Sequence, residues 1–394
     1  MNRFSQSPLK TLNGLLRPLF ARLTGGLLFV GLFGFAMHVH AGDVPANAQV
    51  RRVAAVWAAV PGWSGNVIVR FGPRLLLSSA RGQANVELGV RNMATTRFKL
   101  FSVSKQFTAM AAVQLAKDKR LDLDAPIKNY LHGLPSSWDA VTMRELLQHT
   151  AGIPQQFEES WSEQWENDDA QHLLPVFNAL LAKLPAPEFA PGTKWKYSNM
   201  GYIIAGCVIE AASGEPFETF VAKRVFEPFG LKDTLYDSRA HFPHDVYSGN
   251  ATVSRLAGGY NGSLRALETA YSKEFEETPA GGVISTVGDL DRYGVHYLSL
   301  RRSDPAIAAM EEKPYRVDEH FAYGLGWEMI QISGHQALYH SGGSNGFVSE
   351  LLLIPDVNIV VSVTSNHGFD DVEKLARALA EAALYGSTGM GVKN

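Results

Sequence analysis

The chain has a single cysteine, Cys207, in 394 residues. No internal disulfide is available, so stability rests on the hydrophobic core. That thiol lies in the apolar run Tyr202 to Ile209 and reads as a small core residue rather than a nucleophile. A basic stripe is also missing. Lys and Arg number 36 against 39 Asp and Glu, which leaves nothing to track a phosphate backbone and excludes nucleic acid as an expected partner. No apolar run reaches the ~20 residues that span a bilayer comfortably. No HExxH pattern or set of convergent carboxylates accompanies His241 and His244, so a solvated loop is expected there rather than a metal. Internal repeats, low-complexity tracts and Gly/Ser linkers are absent. One integrated domain is therefore expected, not two tethered ones.

Acid is missing from the first 42 residues, which hold Arg3, Lys10, Arg17 and Arg22. A short apolar run, Gly25 to Met37, follows, and then Val39-His40-Ala41. A positive start, an apolar middle and a small-residue end predict a secretory signal peptide over 1–41, cut after Ala41. The mature protein, 42–394, would be periplasmic or secreted. The rival is an uncleaved segment, which would be the sole membrane attachment. No cysteine lies near the cut, which argues against a lipid-modified N-terminus.

What is present is globular, with 46% hydrophobic and 19% charged residues. Asn47 to Val60 has helical spacing of Val50, Val53, Ala54 and Trp57. Asn66 to Phe71 and Arg74 to Ser78 read as strands joined at Gly72-Pro73. An extended stretch near Arg97 to Phe101 leads into a helix from Val103 to about Asp118, with Phe107, Met110, Ala111 and Leu115 on its buried side. The region from about 120 to 290 reads as loops and short helices. Gly326 to Ile332, Gln336 to His340, Phe347 to Ile354 and Asn358 to Thr364 read as strands, and Asp370 to Leu384 as a last helix with acids at its start. The expected class is therefore α/β (α+β): a mainly antiparallel sheet built from both chain ends, flanked by helices. The sheet part would comprise about 48–101 and 280–388, with an inserted helical subdomain at about 102–279.

Phe101-Ser102-Val103-Ser104-Lys105 carries the chemistry. Residues at i and i+3 share a helix face, so Ser102 and Lys105 meet at one point. A serine hydroxyl near neutral pH needs a base, and a desolvated lysine is one way to supply it. Spacing alone is weak; Ser7 and Lys10 share it by accident. Two further motifs accompany the pair. Tyr197-Ser198-Asn199 precedes the apolar helix of Cys207, and His340-Ser341-Gly342-Gly343 ends one predicted strand and begins the turn to the next.

Together these elements resemble the serine β-lactamase and penicillin-binding protein superfamily, in its class C-like branch. That branch includes β-lactamases, D-alanyl-D-alanine carboxypeptidases, D-amino-acid amidases and family VIII carboxylesterases. The resemblance covers about residues 48 to 386. Supporting segments are Leu146 to Pro154, Phe226 to Thr234, Ala280 to Ser285 and Tyr323 to Trp327. It implies a β-lactamase/transpeptidase-like fold and a serine hydrolase that forms an acyl-enzyme without cofactor or metal. Ser102 would be the nucleophile, Lys105 the group that accepts or relays its proton, and Tyr197 the second base and proton shuttle. Asn199 would position the acyl side chain and Lys105. His340, Ser341 and Gly343 would bind substrate, with backbone N–H groups of Ser102 and Gly343 forming the oxyanion hole. Ser102 at a helix N-terminus favours developing negative charge and is preferred over Ser104 on that ground.

The third motif departs from the Lys-Thr-Gly form of β-lactamases and carboxypeptidases. Histidine, with a reference pKa of about 6.5, is mostly neutral at pH 7 and can donate only one proton to a substrate carboxylate; if it titrates in substrate binding, kcat/KM for acidic substrates should bend near pH 6–7. Histidine at this position looks more like amidases and esterases. An ester, amide or peptide small molecule is thus the expected substrate. The alternatives are a β-lactamase or D-alanyl-D-alanine carboxypeptidase and, from another class, a catalytically silent scaffold on the same fold. No convincing match to the class A deacylating Glu-x-x-x-Asn segment is found, so deacylation would rely on Tyr197 and Lys105. His149 reads as a hydrogen-bonded structural histidine, and Trp63, Trp161, Trp165 and Trp195 as cleft or packing residues.

Overall fold

The computed structural model describes residues 48–154, 181, 183–237, 253–263, 266–269, 278–344 and 346–384. The signal segment with its cut after Ala41 lies outside the described residues, as do Trp161, Trp165, His241 and His244.

Eight strands form the main sheet. In chain order they are β1 (Gly65–Phe71), β2 (Arg74–Arg81), β3 (Tyr315–Arg316), β4 (Ala322–Tyr323), β5 (Glu328–Ile332), β6 (His335–Ser344), β7 (Phe347–Ile354) and β8 (Ile359–Ser365). Their spatial order is β3-β4-β5-β6-β7-β8-β1-β2, antiparallel throughout. The two ends of the chain meet at the β1–β8 ladder, from Gly65 opposite Ser365 to Phe71 opposite Ile359. A two-residue turn joins β1 to β2. Gly72 takes φ +55 there, and Pro73 follows with its fixed negative φ, which suits a II′ hairpin.

Both faces of the sheet are covered, so every residue of β8 and all of β7 but Val348 are buried, polar side chains included. Side chains alternate along a strand. Leu352, Ile354, Val361 and Val363 therefore face one layer, with Val53 and Trp57 of α1 (Ala48–Ala58) and Leu375 and Leu379 of the C-terminal helix Val372–Leu384. Leu351, Leu353 and Val360 face the other, with Phe107 of α2 (Ser104–Lys117), Ile203 of α3 (Asn199–Ser213) and Tyr293 of α4 (Val287–Leu300). The C-terminal helix is α5. A one-residue slip of β7 would exchange both sets at once, so the register is strongly fixed.

Two expectations need correcting. α2 is buried on every side rather than along one stripe: Ser104, Lys105, Gln106 and Thr108 are as buried as Phe107 and Met110. And His340-Ser341-Gly342-Gly343 lies inside β6, not at a turn, because the ladder to β7 continues to Ser344 opposite Phe347.

Candidate active site

A stapled turn presents Ser102. Phe98–Lys99 pairs with Val283–Ser285 in a small three-stranded sheet. The Leu100 N–H donates to Val283 O (2.9 Å), and the Ser104 hydroxyl accepts from the Val283 N–H (2.9 Å). Ser349 Oγ donates to Leu100 O (2.7 Å). Phe101 then adopts φ +46, a left-handed conformation that costs a non-glycine residue on the order of 1–3 kcal/mol. Its ring packs against Phe347 at 6.4 Å. Phe101–Val103 form one 3-10 turn, and α2 begins at Ser104. Ser102 thus precedes the α-helix by one tight turn. Ser104 is fully buried and tied to Val283, which excludes it as the exposed nucleophile.

Two groups converge on Ser102 Oγ: Lys105 Nζ donates to it at 3.0 Å and the Tyr197 hydroxyl at 2.8 Å. Lys105 has 0% exposure. Its nitrogen also donates to Asn199 Oδ1 (2.7 Å) and Ala280 O (3.0 Å). Three acceptors match the three N–H bonds of an ammonium. The same nitrogen lies 4.9 Å from the Tyr197 ring centroid and 5.4 Å from that of Tyr202. The structure therefore brings Ser102, Lys105, Tyr197 and Asn199 together.

The middle residue of Tyr197-Ser198-Asn199 explains the positions of its neighbours. Ser198 is the N-cap of α3, its hydroxyl accepting from the Gly201 N–H. Its own N–H donates to His149 Nδ1 (3.1 Å). Held from both sides, it fixes Asn199 as the first helical residue and Tyr197 just before it. His149 lies against the Tyr197 ring, centroids 4.3 Å apart. Burial and the Lys105 charge hold its pKa well below the usual histidine range, so it is a neutral packing partner of the tyrosine.

β6 closes the site from the sheet side. A Cβ on Gly342 would lie 2.0 Å from Leu100 O and 2.9 Å from Ser102 N. Only glycine allows the strand this close to the Ser102 turn, and Gly343 follows directly.

His340 and Ser341 depart from expectation. His340 is 1% exposed. Its Nδ1 donates to Ser341 O (2.6 Å) and its Nε2 accepts from the Tyr323 hydroxyl (2.9 Å). Burial, with the Lys105 charge, lowers its pKa to about 3. It has no proton to offer a substrate carboxylate, and it does not titrate near pH 6–7. The Ser341 hydroxyl donates to Glu373 Oε1 on α5 (2.8 Å), so it is committed to another partner.

Several contributors escaped the sequence reading. Ala280 acts through its carbonyl, which leaves no side-chain signal. Tyr323 and Ser198 act by holding His340 and α3. Trp63 is buried, its Nε1 donating to Thr364 O, so it packs the core. Trp195 stands near Tyr197, Phe321 and Tyr323, at 5.6–6.4 Å between ring centroids. Among the described residues no group of His, Cys, Asp and Glu is arranged to hold a metal ion.

The family model described as Beta-lactamase matches residues 50–384. A penicillin-binding protein of Bacillus subtilis (strain 168) is 26% identical over 343 residues, covering 82% of this chain and 73% of that protein. A solved D-amino acid amidase from Ochrobactrum anthropi SV3 superposes with TM-score 0.70 at 20% identity, covering 86% of this chain and 99% of the amidase. EstCE1, titled a hydrolase with promiscuous acyltransferase activity, superposes with TM-score 0.67 at 19% identity, covering 85% and 98%.

Proposed function

This chain belongs to the beta-lactamase family, whose members are serine hydrolases, and from that premise we propose that it hydrolyses an ester or amide through an acyl-enzyme on Ser102. The observation that carries the proposal is the meeting of Lys105 Nζ and the Tyr197 hydroxyl on Ser102 Oγ, at 3.0 and 2.8 Å.

In the resting arrangement both neighbours donate to Ser102, so one must lose a proton before it can accept one. Lys105 is held by three acceptors as an ammonium would be. Tyr197 is therefore the group that accepts as phenolate, with the lysine charge stabilising its oxygen. Ser102 Oγ bonds to the carbonyl carbon while its proton passes to Tyr197. The carbonyl oxygen becomes an oxyanion received by the N–H groups of Ser102 and Gly343, each such donor typically worth about 10²–10³ in rate. Tyr197 then protonates the departing alcohol or amine as the carbon–heteroatom bond breaks. Deacylation repeats the steps with water, Tyr197 taking a water proton and returning one to Ser102. Asn199 holds the ammonium. In this scheme no metal or cofactor is needed.

A neutral His340 offers a substrate carboxylate no cation, which favours acyl groups without one over β-lactams. Export by way of the N-terminal segment belongs to the same proposal and rests on residues 1–41 alone.

Turnover of p-nitrophenyl butyrate, a D-alanyl anilide and nitrocefin tests this reading. The ester or the anilide is expected to dominate, and Ser102→Ala to lower kcat at least about 10³-fold. Dominant nitrocefin hydrolysis would overturn the substrate ranking. Undiminished turnover by the alanine variant would overturn the mechanism.

A further inference from the structure

β6 has a second polar side. Ser341 stands opposite Glu350 in the β6–β7 ladder and donates to Glu373. Between the sheet and α5 lies a cavity of about 350 Å³, within the size of sites that take small organic molecules. Ile330, Leu352 and the Tyr339 ring give it an apolar lining. Glu350 of β7, Asp371 just before α5 and Glu373 of α5 supply carboxyls, and Lys374 and Arg377 of α5 line it too.

Glu350 marks this cavity as a site rather than a gap. It is 1% exposed, and its Oε2 has no hydrogen-bond partner among the described residues. A buried carboxyl oxygen left without a donor is destabilising, since it has given up its hydrogen bonds to water. Burial, with Glu373 and Glu328 nearby, pushes its pKa well above the usual carboxylate range, against the pull of Arg377. Burial likewise pushes Glu328 up to about 7. What the Glu350 oxygen lacks is a hydrogen-bond donor: Lys374 and Arg377 line the same cavity, yet neither bonds to it. No set of His, Cys, Asp and Glu among the described residues could hold a metal ion, whereas an ammonium needs no such clasp. Its methylenes would suit Ile330 and Leu352, and its charge would suit the Tyr339 ring. Lys374 and Arg377 disfavour a polycation.

We propose that this cavity binds a small primary alkylammonium, with its nitrogen on Glu350 and Glu373 and its chain against Ile330 and Leu352. This site is distinct from Ser102 and does not depend on the hydrolase reading.

The test is isothermal titration of the full chain with n-butylammonium chloride. One saturable site is expected. Its affinity should rise from pH 6 to pH 8, with proton release, because the cation displaces the proton held on Glu350 among Glu328, Tyr339, Asp371, Glu373, Lys374 and Arg377. Glu350→Gln should weaken binding at least about tenfold, the loss of one charge-assisted hydrogen bond. Its cooperative thermal unfolding, measured in parallel, reports that it remains folded. Glu373→Gln, at an exposed position at the cavity mouth, should weaken binding in the same direction and serves if the buried variant does not fold. Absence of saturable binding, equal binding by both variants, or calcium chloride binding in place of the amine would overturn the proposal.

Discussion

Ser102 Oγ accepts two hydrogen bonds, one from the Tyr197 hydroxyl and one from Lys105 Nζ, which also donates to Asn199 and Ala280. The neighbouring histidines matter through their neutrality. His340 has its pKa lowered to about 3. A histidine whose folded pKa falls below its unfolded value of about 6.5 is proton-poor in the folded state. Its contribution to stability is therefore complete above pH 6.5 and declines as pH falls toward 3. Thermal melts of His340→Gln against the parent should show a flatter loss between pH 6.5 and 4, and kcat/KM of the parent should show no bend from this residue at pH 6–7. An inflection there that vanishes in the variant would contradict the assignment. The motif position of this histidine and its neutrality at pH 7 were legible in the sequence; how far its pKa lies below the reference value was not. A reference pKa presumes solvent, and burial under Tyr323 cannot be read from residue type.

At the scale of elements, local patterns were the legible part. The helical period of α1, the Gly72-Pro73 hairpin and the apolar runs of β7 and β8 all appear in the sequence because each rests on neighbours a few residues away. The Ser102–Lys105 spacing was legible for the same reason. The glycine pair in β6 was misread as a turn, since glycine ordinarily weakens strands. Here Gly342 exists because of the Leu100 carbonyl, which arrives from far away in the chain. Gly342→Ala should push β6 away from the Ser102 turn, lowering the melting temperature and cutting kcat at least about tenfold through the displaced N–H of Gly343. A variant with unchanged kcat and melting temperature would show that the strand does not set this geometry.

Across the whole molecule, the site gathers residues from around 100, 197, 280 and 340. The large sheet carries the strand bearing Gly343, while the turn bearing Ser102 is tied to it by Ser349 on Leu100 O and to the small three-stranded sheet by Val283. Contacts of such separation leave no local trace in composition or period. Only the resemblance of three motifs in order linked Tyr197 and Asn199 to Ser102. The carboxyl-lined cavity had no such motif to announce it, because its lining comes from β5, β6, β7 and α5.

The most direct measurement of the central claim is peptide mass mapping after exposure of the folded chain to a fluorophosphonate. One adduct is predicted, on Ser102, with labelling slowed at least about tenfold in a folded Lys105→Ala variant because the oxygen has lost the cation that supports its base. A folded chain that takes no label, or takes it on another residue, would contradict the account.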